Sequence, residues 1–107
     1  MSIRVAMLLL ALVAGSAVAE TQEFKLVIKD HRFHPAEVIV PAGKKVLLVV
    51  ENQDSTPEEF ESYDLHREKI IAGNKTAKIF IGPLKPGRYV FFGEFNMDTA
   101  QGVVVAK

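Results

Sequence analysis

The sequence predicts an all-β protein, a Greek-key β-sandwich of about seven or eight short strands. Three observations support this fold class. Turn-forming residues recur at short intervals from residue 20 onward, and no segment in that part of the chain has a convincing helical period. The run from Val46 to Val50 is apolar throughout, which is typical of a strand that is buried on both faces.

The strands are predicted in chain order from alternating or continuous apolar runs. In the first, Phe24, Leu26 and Ile28 share one face, and the connection from Asp30 to Pro35 is predicted to be a turn or irregular. The charges of Arg67-Glu68-Lys69 indicate a solvated edge or turn. The predicted segments are Phe24–Lys29, Ala36–Val40, Val46–Val50, Glu59–Leu65, Lys69–Ile71, Lys78–Ile81, Arg88–Phe92 and Val103–Ala106.

Residues 1–19 have the pattern of a signal peptide. Arg4 is followed by the apolar run from Val5 to Ala14, and Ala17-Val18-Ala19 is a small-residue cleavage site. The apolar run is shorter than the roughly 20 residues that a membrane-spanning helix needs. We therefore predict cleavage after Ala19, export, no membrane insertion after cleavage, and a single domain over residues 20–107.

Composition excludes several classes of function. The chain has no cysteine, so packing, hydrogen bonds or a bound ion must stabilise a domain that has no disulfide. Without Arg4, the chain has twelve basic and thirteen acidic side chains. This balance argues against nucleic acid or an anionic membrane surface as a partner, because both select a basic face.

Acidic residues are concentrated between Glu51 and Asp64, a stretch with six acids and no base. In a strand, Glu59, Glu61 and Tyr63 would share one face, whereas Phe60 would point into the core. Carboxylates at positions i and i+2 are rooted about 6–7 Å apart, close enough to bind one ion. We interpret these acids as half of a cation site, and a solvated acidic edge strand is the alternative.

Further candidate ligands lie in two predicted loops. His31 and His34 belong to the first turn, and Glu94, Met97 and Asp98 precede the last strand. Loops of a sandwich gather at its ends, so these side chains would meet the acidic strand. Carboxylate, imidazole and thioether groups together favour a transition metal. Each residue also has a structural interpretation: an exposed histidine, a methionine that fills a gap, or a glutamate that caps a turn.

Two long segments of the chain resemble cupredoxins: "FHPAEVIVPAGKKVLLVVENQD" and "PGRYVFFGEF" followed by "QGVVVA". The resemblance places the first copper histidine at Glu58, the copper cysteine at Gly93 and the second histidine at Asn96. The axial methionine would fall near Thr99 or Ala100, and Met97 is out of step with it. A type-1 copper centre needs two histidines and a thiolate, so the resemblance implies the fold without blue-copper electron transfer.

The segments "EEFES", "REKIIAG", "IGPLKPGRYVFFGEF" and "DTAQG" more narrowly resemble EfeO-type cupredoxin-like proteins of bacterial periplasmic iron-uptake systems. That resemblance implicates Glu59 and Glu61 in binding an iron and/or copper ion. It also implies a periplasmic location and partners among iron-uptake components, including a membrane iron permease. A homodimer is compatible with the sequence. A copper-dependent ferroxidase and a metal-free interaction module remain alternatives to an iron-uptake accessory.

Overall fold

The computed structural model describes residues 20–107, which form nine strands and one short 3-10 helix, Glu94–Asn96. The predicted leader, residues 1–19, lies outside the described residues. The strands are β1 Gln22–Lys29, β2 Arg32–His34, β3 Glu37–Val40, β4 Val46–Asn52, β5 Glu58–Ser62, β6 Arg67–Ile71, β7 Thr76–Ile81, β8 Gly87–Gly93 and β9 Gln101–Ala106.

The strands form two sheets, which confirms the predicted all-β sandwich. The four-stranded sheet has the order β2-β1-β4-β7, and the five-stranded sheet has the order β3-β9-β8-β5-β6. β1 pairs in parallel with β4, and β3 pairs in parallel with β9; the other pairs are antiparallel. β6 is therefore an edge strand, as the charges of Arg67-Glu68-Lys69 indicated.

The core lies between the two sheets and follows the alternation of the strands. Leu26 and Ile28 of β1 are fully buried, as predicted, and Leu48 and Val50 of β4 are buried beside them. The rings of Phe33, Phe60 and Phe91 contact one another, with centroids 4.9–6.1 Å apart. Pairs at such distances contribute roughly 0.5–1.5 kcal/mol beyond the burial of their area. Phe60 thus anchors β5 to the core, and its neighbours in sequence face outward.

The turn or irregular connection predicted from Asp30 to Pro35 is shorter than expected, because Arg32–His34 of this segment form β2. Only Asp30 and His31 form the turn, and both have left-handed backbone angles, with φ of 55° and 57°. A two-residue hairpin turn of this kind usually carries glycine. Here Asp54 stabilises the turn instead, because its carboxylate accepts hydrogen bonds from the amide N–H groups of both turn residues at 2.9 and 3.0 Å.

Strand ends account for the smaller differences from the sequence prediction. β5 stops at Ser62 rather than Leu65, because the Ser62 hydroxyl accepts the Leu65 amide N–H and donates to the Val90 carbonyl. The Asp64 carboxylate accepts the amide N–H of Val90 and fixes the same turn to β8. Within residues 20–107, no helix has the length and apolar character needed to cross a membrane.

Candidate metal centre

β5 divides its glutamates between the two faces of the five-stranded sheet. Glu58 and Phe60 point inward and are 2% and 0% exposed. Glu59 and Glu61 lie on the outer face, as the alternation predicted. The acidic stretch is therefore not one uniform group of unpaired acids, because its members serve different structural roles.

The other acids of this stretch have partners elsewhere in the fold. The Glu51 carboxylate lies 2.9 Å from the Lys25 ammonium, and Asp54 and Asp64 accept backbone N–H groups. These partners account for Glu51, Asp54 and Asp64 without a cation. Only Glu59 and Glu61 remain on the outer face as candidate ligands from this segment.

A third carboxylate joins them from the neighbouring strand. Glu68 of β6 lies directly opposite Glu61 in the antiparallel register. One ligand atom from each of Glu59, Glu61 and Glu68 lies within 4.8 Å of the others. We call these residues the glutamate trio. Among residues 20–107 it is the only group of three carboxylate or imidazole side chains whose ligand atoms are that close.

Glu68 was not predicted as a ligand, because the charges of Arg67-Glu68-Lys69 are typical of a solvated edge or turn. The signal that identifies it is the hairpin between β5 and β6. Once Ser62 is paired with Arg67, the alternation puts Glu68 beside Glu61 on the same face. Glu68, although it lies on an exposed edge strand, can thus bind the same ion as the more buried Glu61.

Burial and repulsion between neighbouring carboxylates raise the pKa of Glu59 and of Glu61. For Glu59, removal from water acts first, followed by the negative charges of Glu68, Glu94 and Glu58. For Glu61, which is 9% exposed, the causes are burial, the charge of Glu68 and a hydrogen bond with it, then Glu59 and Glu94. Either a proton or a bound cation would relieve this repulsion.

Glu94 lies beside the glutamate trio without being one of its members. It opens the 3-10 helix directly after β8, and its charge contributes to the raised pKa of Glu59 and Glu61. The register of β5 with β8 explains this position. Phe60 pairs with Gly93 and Glu61 with Phe92, so continuation of the register brings Glu94 toward Glu59.

The remaining predicted ligands belong to a different part of the loop end. His31, Met97 and Asp98 line an open depression together with other residues of the last loop. His31 Nδ1 lies 3.6 Å from Asp54 Oδ2, and His34 Nε2 lies 3.3 Å from the Lys29 carbonyl. The structure thus groups Glu59 and Glu61 with Glu68, while His31, Met97 and Asp98 surround a separate depression.

Glu58, Gly93, Asn96 and Ala100, the positions that the resemblance to cupredoxins aligns with copper ligands, lie close together. Glu58 Oε2 accepts a hydrogen bond from Asn96 Nδ2 at 2.8 Å. A Cβ atom at Gly93 would lie 2.6 Å from the Glu58 carboxyl and 2.7 Å from the Ala100 Cβ. We call Glu58, Gly93, Asn96 and Ala100 the loop-end cluster. It contains neither thiolate nor imidazole, and a glutamate fills its centre, so these residues do not fit a type-1 copper ion.

A two-sheet sandwich with such a loop end has the architecture of the copper-binding β-sandwich proteins but lacks their blue-copper ligands. The sequence model of the cupredoxin-like domain family matches residues 2–106. The chain therefore belongs to the cupredoxin-like domain family.

One relative is similar to this chain over most of its length. The chain is 52% identical over 83 residues to the uncharacterized protein RP394 of Rickettsia prowazekii. This alignment covers 78% of the chain and 66% of the relative, so the chain spans just under two thirds of that protein's length.

Solved structures with low identity share the fold. Auracyanin A, a "blue" copper protein from Chloroflexus aurantiacus, superposes with a TM-score of 0.71 at 14% identity, over 82% of this chain and 100% of that one. The metal binding domain of the Cu(I)-exporting P-type ATPase CopA from Streptococcus pneumoniae D39 gives 0.71 at 16% identity, over 86% and 91%. Likeness at this level of identity shows the architecture alone.

Proposed function

We propose that this chain is an exported cupredoxin-like protein that binds a transition-metal ion through the glutamate trio and Glu94 and acts as an accessory in periplasmic iron uptake. The observation that carries the proposal is the convergence of Glu59, Glu61 and Glu68 within 4.8 Å, without a basic side chain paired to any of them among the described residues. Three carboxylates on one small surface are stable together when a cation binds them.

Ligand chemistry supports iron as the cargo. Carboxylate oxygens are hard ligands that suit iron and manganese better than Cu(I), which prefers sulfur. The family resemblance at Glu59 and Glu61 points in the same direction, and copper(II) is the second ion that oxygen and nitrogen ligands accept. A membrane iron permease and other periplasmic iron-uptake components are the partners we propose.

Metal titration of the purified protein tests this proposal. Fe(II) under anaerobic conditions, Fe(III) citrate and Cu(II) are each titrated into the wild type and into the double variant Glu59→Gln/Glu61→Gln. Loss of two ligands is expected to weaken iron binding by about tenfold or more, since loss of even a supporting residue costs that much at metal sites.

The matched control is Glu20→Gln/Glu23→Gln, which removes the same charge from two exposed positions outside the trio. We expect this control to bind iron as the wild type does. Equal affinity in the wild type and the Glu59→Gln/Glu61→Gln variant would refute the proposed site.

A metal-free interaction module is a second candidate, because the outer face beside the trio is apolar. Tyr63 and Val90 are 71% and 55% exposed on this face, and the ring of Phe92 packs against Tyr63 with centroids 5.6 Å apart. A basic partner could neutralise the trio instead of an ion. Stability and partner binding that chelators leave unchanged would favour this function over metal binding.

A further inference from the structure

Glu58 is a buried acid that the proposed metal site does not use as a ligand. It is among the most buried side chains of the described residues, and none of their basic side chains forms an ion pair with it. Burial of an acid without a basic partner is costly unless hydrogen bonds compensate. Its contacts show where that compensation comes from.

The Glu58 carboxylate connects two separate elements of the site. Its Oε1 atom accepts the amide N–H of Glu59 and the amide N–H of Phe95, each at 2.9 Å. Its Oε2 atom accepts the side-chain amide of Asn96 at 2.8 Å. One buried carboxylate therefore holds β5 at Glu59 against the 3-10 helix that begins at Glu94.

The same connection continues through the last loop. The Asn96 carbonyl accepts the amide N–H groups of Thr99 and Ala100, and the Gly93 amide N–H donates to the Ala100 carbonyl at 2.8 Å. Gly93 leaves the space that the Glu58 carboxyl occupies, because a Cβ there would collide with it. The loop that carries Glu94 is thus closed at its base and fastened to β5 at one point.

This fastening opposes an electrostatic force. Burial and the charge of Glu68 are the main causes of the raised pKa values of Glu59 and Glu61, and the negative charge of Glu94 adds to them, so its position beside the trio is electrostatically unfavourable in the absence of a cation. Three hydrogen bonds to a buried acceptor hold Glu94 near the trio before any cation arrives. A site that is held in its binding geometry binds more tightly, because less ordering is needed on binding.

We infer that Glu58 is a positioning residue for the cation site: its carboxylate holds the 3-10 helix so that Glu94 stays beside the glutamate trio as a fourth carboxylate. This role rests on the proposed function. The carboxylate accepts hydrogen bonds from two backbone amides and one side-chain amide of the protein and thereby orients the neighbouring ligands.

Fe(II) titration under anaerobic conditions tests this role with four variants of the full chain. Glu58→Gln keeps the volume and an oxygen acceptor, and rotation of the Asn96 amide can match its NH2 group, so affinity should stay within about threefold of the wild type. Glu58→Met removes both acceptor oxygens, and with them all three hydrogen bonds, and should weaken binding about tenfold. Glu94→Gln should weaken Fe(II) binding to a similar extent. The double variant Glu58→Met/Glu94→Gln should bind Fe(II) no more weakly than whichever single variant has the lower affinity.

Non-additivity is the decisive result, because a merely structural effect of Glu58 would add to the effect of Glu94. Additive losses, or wild-type affinity in Glu58→Met, would overturn the positioning role while the proposed function stands. Absence of Fe(II) binding by the wild type, or retention of binding by Glu59→Gln/Glu61→Gln, would instead overturn the proposed function and this role with it.

An additional variant, Asn96→Ala, tests the same role if Glu58→Met fails to fold. Asn96→Ala removes one of the three hydrogen bonds from a loop position. We expect a loss of about threefold in Fe(II) affinity that disappears in the Glu94→Gln background. We also expect faster amide hydrogen exchange at Phe95. An Asn96→Ala protein with wild-type affinity and unchanged Phe95 exchange would overturn the positioning role.

Discussion

At the scale of single residues, Gly93 leaves the space that its neighbours in the loop-end cluster need. Its backbone angles, φ −95° and ψ 114°, are open to any residue, so conformation does not require glycine here. Space does, because the Glu58 carboxyl and the Ala100 methyl occupy the volume that a Cβ would enter. Glycine at position 93 and glutamate at position 58 are therefore coupled through packing.

Gly93→Ala is accordingly expected to destabilise the protein by about 1–3 kcal/mol, the usual cost of inserting a methyl group into a well-packed region. Chemical denaturation of the wild type and the variant measures the difference. In the Gly93→Ala/Ala100→Gly protein, one of the two collisions is removed, so part of the loss should be recovered. A Gly93→Ala protein as stable as the wild type would show that the loop end adjusts freely.

At the scale of elements, the hairpin of β1 and β2 is fastened by a residue from a distant loop. Burial acts to raise the pKa of Asp54, but the amides of His31 and Asp30 and the nearby positive charges outweigh it, so the pKa lies below its ordinary value. The Asp54 carboxylate thereby stabilises two residues in left-handed conformations, which are unfavourable for side chains other than glycine.

Asp54→Asn should lower the free energy of unfolding by about 1–3 kcal/mol at neutral pH, because one of two charge-assisted acceptors is lost. A depressed pKa gives stability above the ordinary carboxyl pKa that is lost as pH falls through the folded-state value. The deficit of the variant should therefore shrink in acid. Urea denaturation at neutral and acidic pH measures this, with Glu23→Gln as the control. A deficit that is equal at both pH values would contradict an ionic contribution.

Elements with a strong periodic pattern were predictable, and those that depend on distant partners were not. The alternation of β1 and of Phe60 against Glu59 and Glu61 follows from the strand period alone. β2 was not predictable, because its turn lacks the usual glycine and relies on Asp54, 23 and 24 residues away. Glu68 required the β5–β6 register, and the burial of Glu58 required the position of the 3-10 helix.

At the scale of the whole molecule, the glutamate trio reduces the stability of a fold that otherwise follows its strand pattern. Glu59 and Glu61 have raised pKa values, so the folded protein binds protons at these two groups more readily than the unfolded chain. Stability of the metal-free protein must then fall as pH rises through the interval from the ordinary carboxyl pKa to the raised value. Repulsion among these carboxylates lowers the stability of the metal-free protein, and a bound cation would relieve it.

Glu61→Gln removes this repulsion, so the metal-free variant should melt a few degrees above the wild type at neutral pH. Below the ordinary carboxyl pKa, Glu61 is protonated in both the folded and unfolded states, and the two melting temperatures should converge. Calorimetry in buffer with a chelator measures both, and Glu23→Gln should follow the wild type throughout. Saturating Fe(II) should reverse the order at neutral pH, because only the wild type keeps all three carboxylates and is stabilised by the bound ion. A Glu61→Gln protein that melts below the wild type even in chelator would mean that Glu61 contributes to packing and not to repulsion.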